Sequence, residues 1–172
     1  QSITMGRRHA VFVLAAAATV ALTSTSLLQA ADPKPAPNVT LQDAAGATVR
    51  LADYKGSVVL VDFWASWCIP CKVSFPALDT LYKEFHVRGL EVLAVNLDER
   101  RRDADAFLAA RPHTMPVLFD PRGASALAFD VKGMPSSFLI DRAGAIRITH
   151  MGYSDNIGEQ YRREIAQLIA ER

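Results

Sequence analysis

The chain has 172 residues, half of them hydrophobic, and a net charge of +1. That is enough apolar material for one core, so one domain is expected. The near-neutral balance excludes the large basic excess of a nucleic-acid binder and gives no electrostatic pointer to a charged partner.

The first thirty residues have the make-up of a targeting segment. Arg7 and Arg8 form a basic start, an apolar run follows from Ala10 to Leu22, and Thr23 to Ser26 is polar. A run of that length suits a signal h-region and is short for a membrane span, so residues 1–30 read as a signal peptide or, uncleaved, an N-terminal anchor. A buried amphipathic helix would need a polar face, which Ala10–Leu22 lacks. Export places the remainder in a periplasmic or other extracytoplasmic compartment, oxidising enough for a disulfide to persist. Residues 31–37, ADPKPAP, hold prolines at 33, 35 and 37 and read as a stiff linker. The folded domain is expected over 38–172.

Val39–Leu41 and Val49–Leu51 flank DAAGA and read as a hairpin. Val58 to Phe63 is a valine-rich apolar run, the pattern of a strand buried on both faces. A helix is expected from Cys68 to about Val87, kinked at Pro76. Leu90 to Leu97 is a second buried strand. Asp103 is read as the cap of a helix reaching about Ala110; the arginines at 100–102 are flanked by Glu99 and Asp103, as on a solvated turn and helix start. A brief strand at Val117–Phe119 and a short helix at Ala124–Phe129 follow. Ser137–Ile140 and Ile146–His150 make a hairpin around DRAGA. The last helix starts near 154–156, with Ile157, Tyr161, Ile165 and Leu168 on one apolar face. The succession predicts an α/β fold with a mixed central sheet flanked by helices on both faces, and a site where a strand meets a helix, at Trp67-Cys68.

The only two cysteines lie in FWASWCIPCK, at Cys68 and Cys71. Three roles are open to them. A zinc site needs about four ligands, and His86, His113 and His150 are scattered, which leaves at most a half-site shared between chains. A structural staple would close a loop of only four residues, with a chain-entropy gain of roughly 2 kcal/mol. A redox pair accounts for the neighbours best. Cys68 falls at a helix start, where free backbone N–H groups and the dipole favour a thiolate. Cys71 is one turn further on, within disulfide reach. Pro70 sits in the first turn, where its missing N–H costs nothing. Asp62 ends the apolar VVLVD run, where a charge is expensive. Burial should raise its pKa and suit it to proton exchange with the second thiol, although an acid there could also merely cap the strand end. Trp67, beside Cys68, is a candidate for the substrate surface, with Trp64 a core aromatic.

By these residues the chain resembles the thioredoxin superfamily, and within it the exported TlpA/ResA-like thiol–disulfide oxidoreductases. VVLVDFWASWCIPCK is similar to the thioredoxin strand–loop–helix, with Asp62 at the position of its buried aspartate. LQDAAGATVRLADYKGSVVLVDFWASWC resembles the N-terminal β-hairpin and first core strand of the TlpA-like group. Residues 95–146 resemble that group's mid-chain strand–helix insertion, and VKGMPSSFLID places the family's cis-proline at Pro135. The resemblance implies a thioredoxin-like fold and a reductase of protein disulfides with no cofactor beyond its own redox-active disulfide, bound metal not being required. Cys68 would attack, Cys71 resolve and Asp62 handle the proton. Trp67, Ile69, Pro70, Met134 and Pro135 would meet substrate, with the Met134 backbone pairing to an extended peptide. Its implied partners are protein thiols and disulfides and a membrane thiol-transfer electron donor, with apocytochrome c among the acceptors of the group.

Two positions depart from the pattern. Ser74 stands where the TlpA-like group usually has Glu, and Ala94 stands where thioredoxin has a Lys facing its buried Asp. Both changes remove charge near the thiols. The alternatives are a thiol oxidase of the same fold and a copper-binding thioredoxin-like module, the latter normally with one more residue between its cysteines. A peroxidase arrangement needs Pro and Thr or Ser at positions occupied here by Val61 and Ala65.

Overall fold

The computed structural model describes residues 33–171; the targeting segment read from residues 1–30 lies outside them. The elements in chain order are β1 (Lys34–Pro35), β2 (Thr40–Gln42), β3 (Thr48–Arg50), β4 (Val58–Trp64), α1 (Ile69–Phe85), β5 (Leu90–Asn96), α2 (Arg101–Ala109), β6 (Val117–Phe119), α3 (Ala124–Ala128), β7 (Ser136–Ile140), β8 (Ala145–Met151) and α4 (Ile157–Ala170). The strands form one sheet in the order β1-β8-β7-β4-β5-β6-β2-β3. β4 lies at its centre, parallel to β5 and antiparallel to β7, so the sheet is mixed.

All seven residues of β4 are buried, which is why the run reads as continuously apolar rather than alternating. Its side chains still divide between two faces. Leu60 and Trp64 face a core built from α1, α4 and Phe107 of α2. Val59, Val61 and Phe63 face a smaller core with Val39, Leu41, Leu51 and Phe129. On α4 the buried residues are Ile157, Tyr161, Ile165 and Leu168, the face expected from their spacing.

The two hairpins use one turn twice. In DAAGA the Asp43 carboxylate accepts from the N–H groups of Ala45 and Ala47, both at 2.8 Å. In DRAGA the Asp141 carboxylate accepts from Ala143 and Ala145, both at 3.0 Å. The fourth residue of each, Gly46 and Gly144, has φ of 83° and 87°. This left-handed backbone suits glycine, and the Asp side chain supplies the acceptor that closes the turn.

The structure differs from expectation at three places. The segment read as a linker contributes a strand: Lys34 and Pro35 pair with Ile146 and Ala145 at the sheet edge. Proline is tolerated there because an edge strand can leave its N–H side unpaired. Asp103 does not cap α2. Arg100 is the cap residue, and Asp103 lies one turn inside, bonded to the Arg100 guanidinium at 2.8 Å. Finally, α1 ends at Phe85, and His86–Arg88 continue as a 3₁₀ turn closed by Gly89.

The helix that carries Cys71 is tied down at Asp79, a buried acid in its middle. Asp79 Oδ1 accepts from the N–H groups of Thr114 and Met115, at 2.6 and 2.9 Å, and from the Thr114 hydroxyl at 3.0 Å. Lys83 reaches Oδ2 at 2.6 Å. Burial alone would push this carboxyl up, but the four donors outweigh it and hold the pKa at about 2 against the usual 3.8. The depressed value contributes about 2 kcal/mol of stability. That contribution is complete above the unfolded-state pKa and is lost as pH falls toward 2. Asp79→Asn is therefore expected to cost about 2 kcal/mol at pH 7, with the gap to wild type closing between pH 4 and pH 2 in guanidinium melts.

Candidate functional site

Cys68 and Cys71 form a disulfide with their Cα atoms 5.2 Å apart. Cys68 is the N-cap of α1, in extended backbone, and its sulfur accepts the Cys71 N–H at 3.2 Å. A cap position leaves the first backbone N–H groups of the helix pointing at this sulfur. Pro70 occupies the first turn, as expected. The two sulfurs differ in access. Cys71 is fully buried, whereas Cys68 keeps 5% exposure and lies between Trp67 and Ile69, which are 66% and 74% exposed. Val73, one turn along the helix, extends this apolar rim.

The loop that delivers Cys68 is fixed from a neighbouring strand end. The buried Asp98 carboxylate accepts from the Ser66 N–H at 2.9 Å and the Ser66 hydroxyl at 2.8 Å. Asn96 in turn donates to Asp98 at 2.7 Å and accepts its N–H at 3.0 Å. The sequence reading missed this pair. Its one visible signal was an Asn-x-Asp directly after an apolar strand, where short polar side chains satisfy backbone groups at a turn.

Pro135 is buried, and the Met134–Pro135 peptide is cis, the isomer that the resemblance implied. The Pro135 carbonyl accepts from Gly152 at 2.8 Å. Met134 is half-buried and packs against the core that holds Cys68 and Cys71. Ser136 follows, its hydroxyl donating to the Gly133 carbonyl at 2.6 Å.

Asp62 lies in β4 on the face of Leu60 and Trp64, the face that α1 covers. It is 1% exposed, and its Oδ2 has no hydrogen-bond partner among the described residues. Burial without a partner holds this carboxyl well above the usual carboxylate range. It does not cap the strand end. Across the ladder it faces Ala94 on β5 and Ser137 on β7, so no cation sits beside it on either neighbouring strand. Ser74 also leaves the site uncharged: it is buried, and its hydroxyl donates to the Cys71 carbonyl at 3.3 Å. Trp64 is fully buried between Phe75 and Phe107, with ring centroids 5.0 and 4.6 Å away, and belongs to the core.

A central strand delivering a dithiol to a helix start, with a cis-proline before the next strand, defines a thioredoxin-like protein. Residues 33–149 match the AhpC/TSA family, and the chain belongs to it. The thiol-disulfide oxidoreductase ResA of Bacillus subtilis is 37% identical over 111 residues, 64% of this chain and 62% of that protein. The chain thus spans less than two thirds of that relative's length. Among solved structures, a Chlorobium tepidum chain provisionally described as a thiol:disulfide interchange protein DsbE aligns at TM-score 0.77 and 41% identity, over 80% of this chain and 97% of that one. The thioredoxin domain of a Bacteroides vulgatus thiol-disulfide oxidoreductase aligns at TM-score 0.70 and 25% identity, over 79% and 99%.

The buried acid has a measurable cost. An unfolded Asp62 ionises near pH 4, whereas the folded one keeps its proton to a higher pH. The raised pKa therefore favours folding only at low pH, and stability falls as pH rises. Oxidised Asp62→Asn is expected to exceed wild type in denaturant stability at pH 8 by about 1–3 kcal/mol, with the advantage shrinking toward pH 4. An advantage independent of pH would show that the carboxyl is not held neutral.

Proposed function

We propose that this protein is an exported thiol–disulfide oxidoreductase that reduces disulfides in other proteins through Cys68 and Cys71. The observation that carries this reading is the unequal access of two sulfurs at one helix start: Cys68 at the rim, Cys71 buried behind it. In the reduced protein the N-terminal backbone of α1 favours a thiolate at Cys68. That thiolate attacks one sulfur of a substrate disulfide. A Cys68–substrate bond forms, and the other substrate sulfur leaves with the electron pair and takes up a proton. Asp62, as carboxylate, then accepts the Cys71 thiol proton. The Cys71 sulfur attacks Cys68, the Cys68–Cys71 bond closes, and the second substrate thiol departs. Two electrons pass to the substrate, and the protein is left oxidised, as it stands in this structure.

Several features support reduction as the direction. A strong oxidant is one whose reduced form is stabilised. Here Ile69 and Pro70 between the cysteines, Ser74 below and Ala94 beside Asp62 supply no cation, so the helix end is the principal aid to the Cys68 thiolate. The apolar rim of Trp67, Ile69 and Val73 suits an unfolded or extended chain. At Met134 neither backbone group is hydrogen-bonded within the described residues, which suits strand-like pairing with that chain. Reoxidised protein must be reduced again by a dithiol, and a membrane thiol-transfer protein is the class of donor that fits an exported site. Among the described residues no helix is long and apolar enough to cross a membrane, and export rests on the reading of residues 1–30.

Cys71→Ser is expected to accumulate mixed disulfides between Cys68 and extracytoplasmic proteins, visible as thiol-sensitive adducts on non-reducing gels. Cys68→Ser is expected to form none and to lose insulin reduction. Adducts of equal yield in both variants, or in neither, would count against the assigned order of the two sulfurs.

A further inference from the structure

Asp62 is the polar centre of the site, yet its immediate surroundings supply it with no charge. What they supply is a row of side chains across the sheet. In register, Ala94 on β5, Asp62 on β4, Ser137 on β7 and His150 on β8 stand side by side. All four share the face that carries Leu60, Val92, Leu139 and Ile148. α4 covers the β7–β8 half of the row. Its Tyr161 is buried, and the Tyr161 hydroxyl is hydrogen-bonded to the Ser137 hydroxyl. The Tyr161 ring also meets the His150 ring edge-on at 4.9 Å, and His150 Nε2 is bound to Glu164 at 2.7 Å.

Counting hydrogens locates the unmet partner. Two hydroxyls carry two protons, and their mutual bond uses one. Among the described residues the second O–H has no acceptor within hydrogen-bond distance, while Asp62 Oδ2 on the adjacent strand has no partner. Paired residues on neighbouring strands place their Cβ atoms about 4.5–5.5 Å apart. Donation to Asp62 would require its carboxyl to rotate toward β7. The indole N–H of Trp64 is the other unsatisfied buried group on this face. Its ring is held between Phe75 of α1 and Phe107 of α2.

We propose that the Ser137–Tyr161 hydroxyl pair positions and tunes Asp62, donating a hydrogen bond to its carboxylate in the ionised state that takes the proton from Cys71. The proposal rests on the reading of Asp62 as the proton partner of Cys71. Tyr161 and Ser137 are positioning residues here: they act on Asp62 and never on the sulfur. Without the donor, ionising a buried carboxyl would leave a bare charge in an apolar core. With it, the charge has one partner at the moment it forms. The groups facing Asp62 from every packed element are few. α1 brings Cys71, β5 brings Ala94, β7 brings Ser137, and α4 brings Tyr161 with Glu164 one turn on. β8 brings His150 behind Ser137, already paired with Glu164. The Tyr161 phenol is itself pushed up, by burial first and then by the Asp62 charge, and so remains a donor.

The test is a direct titration of Asp62 in the oxidised protein, where neither cysteine titrates, by NMR of carboxyl-labelled aspartate. A donor to the carboxylate lowers its pKa, so Tyr161→Phe is expected to raise the Asp62 titration by about one unit, and Ser137→Ala to shift it in the same direction by less. Tyr161→Phe keeps the ring and its packing against His150, and Ser137→Ala removes the other hydroxyl of the pair from the β7 side. In turnover, Tyr161→Phe should move the acid limb of the pH–rate profile for disulfide reduction upward by the same amount. The shift should vanish in an Asp62→Asn background. An unchanged Asp62 titration in both variants overturns the proposal, whatever the activity. A turnover shift that persists in Asp62→Asn overturns it as well. The titration needs no catalysis, so a protein that failed to reduce disulfides would defeat the proposed function and leave this measurement decisive on its own.

Discussion

The organising constraint is a carboxyl placed in a central strand and almost wholly buried. β4 is buried from end to end between β5 and β7, and Asp62 interrupts its apolar run on the face that packs against the cysteine helix. Such a group must be neutral or find a partner, because ionisation without one is costly in a low-dielectric interior. That cost is also what makes it useful. A carboxyl held above the usual carboxylate range is better matched to proton exchange with a thiol than an exposed aspartate is.

Around that group the fold separates two tasks. On the proposed reading the rim meets substrate: Cys68 at the start of α1, flanked by Trp67 and Ile69, with Met134 packed against the same core as Cys68. On the same reading the interior handles the proton, between Cys71 and Asp62, both buried. Rigid supports hold the two together. Asp98 fixes the loop before Cys68 through Ser66, and Asp79 fixes the middle of α1 to the loop ahead of β6. Both are acids whose hydrogen bonds go largely to backbone N–H or hydroxyl groups. They work as structural acceptors, while Asp62, lacking such donors, is left titratable.

Much of this was legible in the sequence. β4 and β5 announced themselves as unbroken apolar runs, and α4 as a four-residue periodicity. The two Asp-x-x-Gly turns were visible as near-identical pentapeptides, DAAGA and DRAGA, which fold alike because the Asp acceptor and the left-handed Gly do the same work in each. Cys-x-x-Cys next to Trp and Pro pointed to the site, and Asp62 stood out as a charge at the end of an apolar strand. Less legible was anything set by pairing across distance. Lys34–Pro35 looked like linker because local composition cannot reveal that β8 offers a free edge. The cap of α2 was assigned one turn late because Asp103 is the better capping residue by type, yet Arg100 holds the extended backbone. The Asp98–Ser66 clamp and the Ser137–Tyr161 pair join residues 32 and 24 positions apart, and single-residue signals carry no trace of either.

The direction of electron flow follows from what surrounds the thiolate rather than from the fold. With uncharged residues at 69, 70, 74 and 94, the reduced form gains little beyond the helix end, which is the basis for proposing a reducing pair. The equilibrium potential of Cys68–Cys71 against a defined thiol buffer tests this most directly. The account places it near the thioredoxin value of roughly −270 mV, and a value above roughly −150 mV, approaching the strong oxidants, would contradict it.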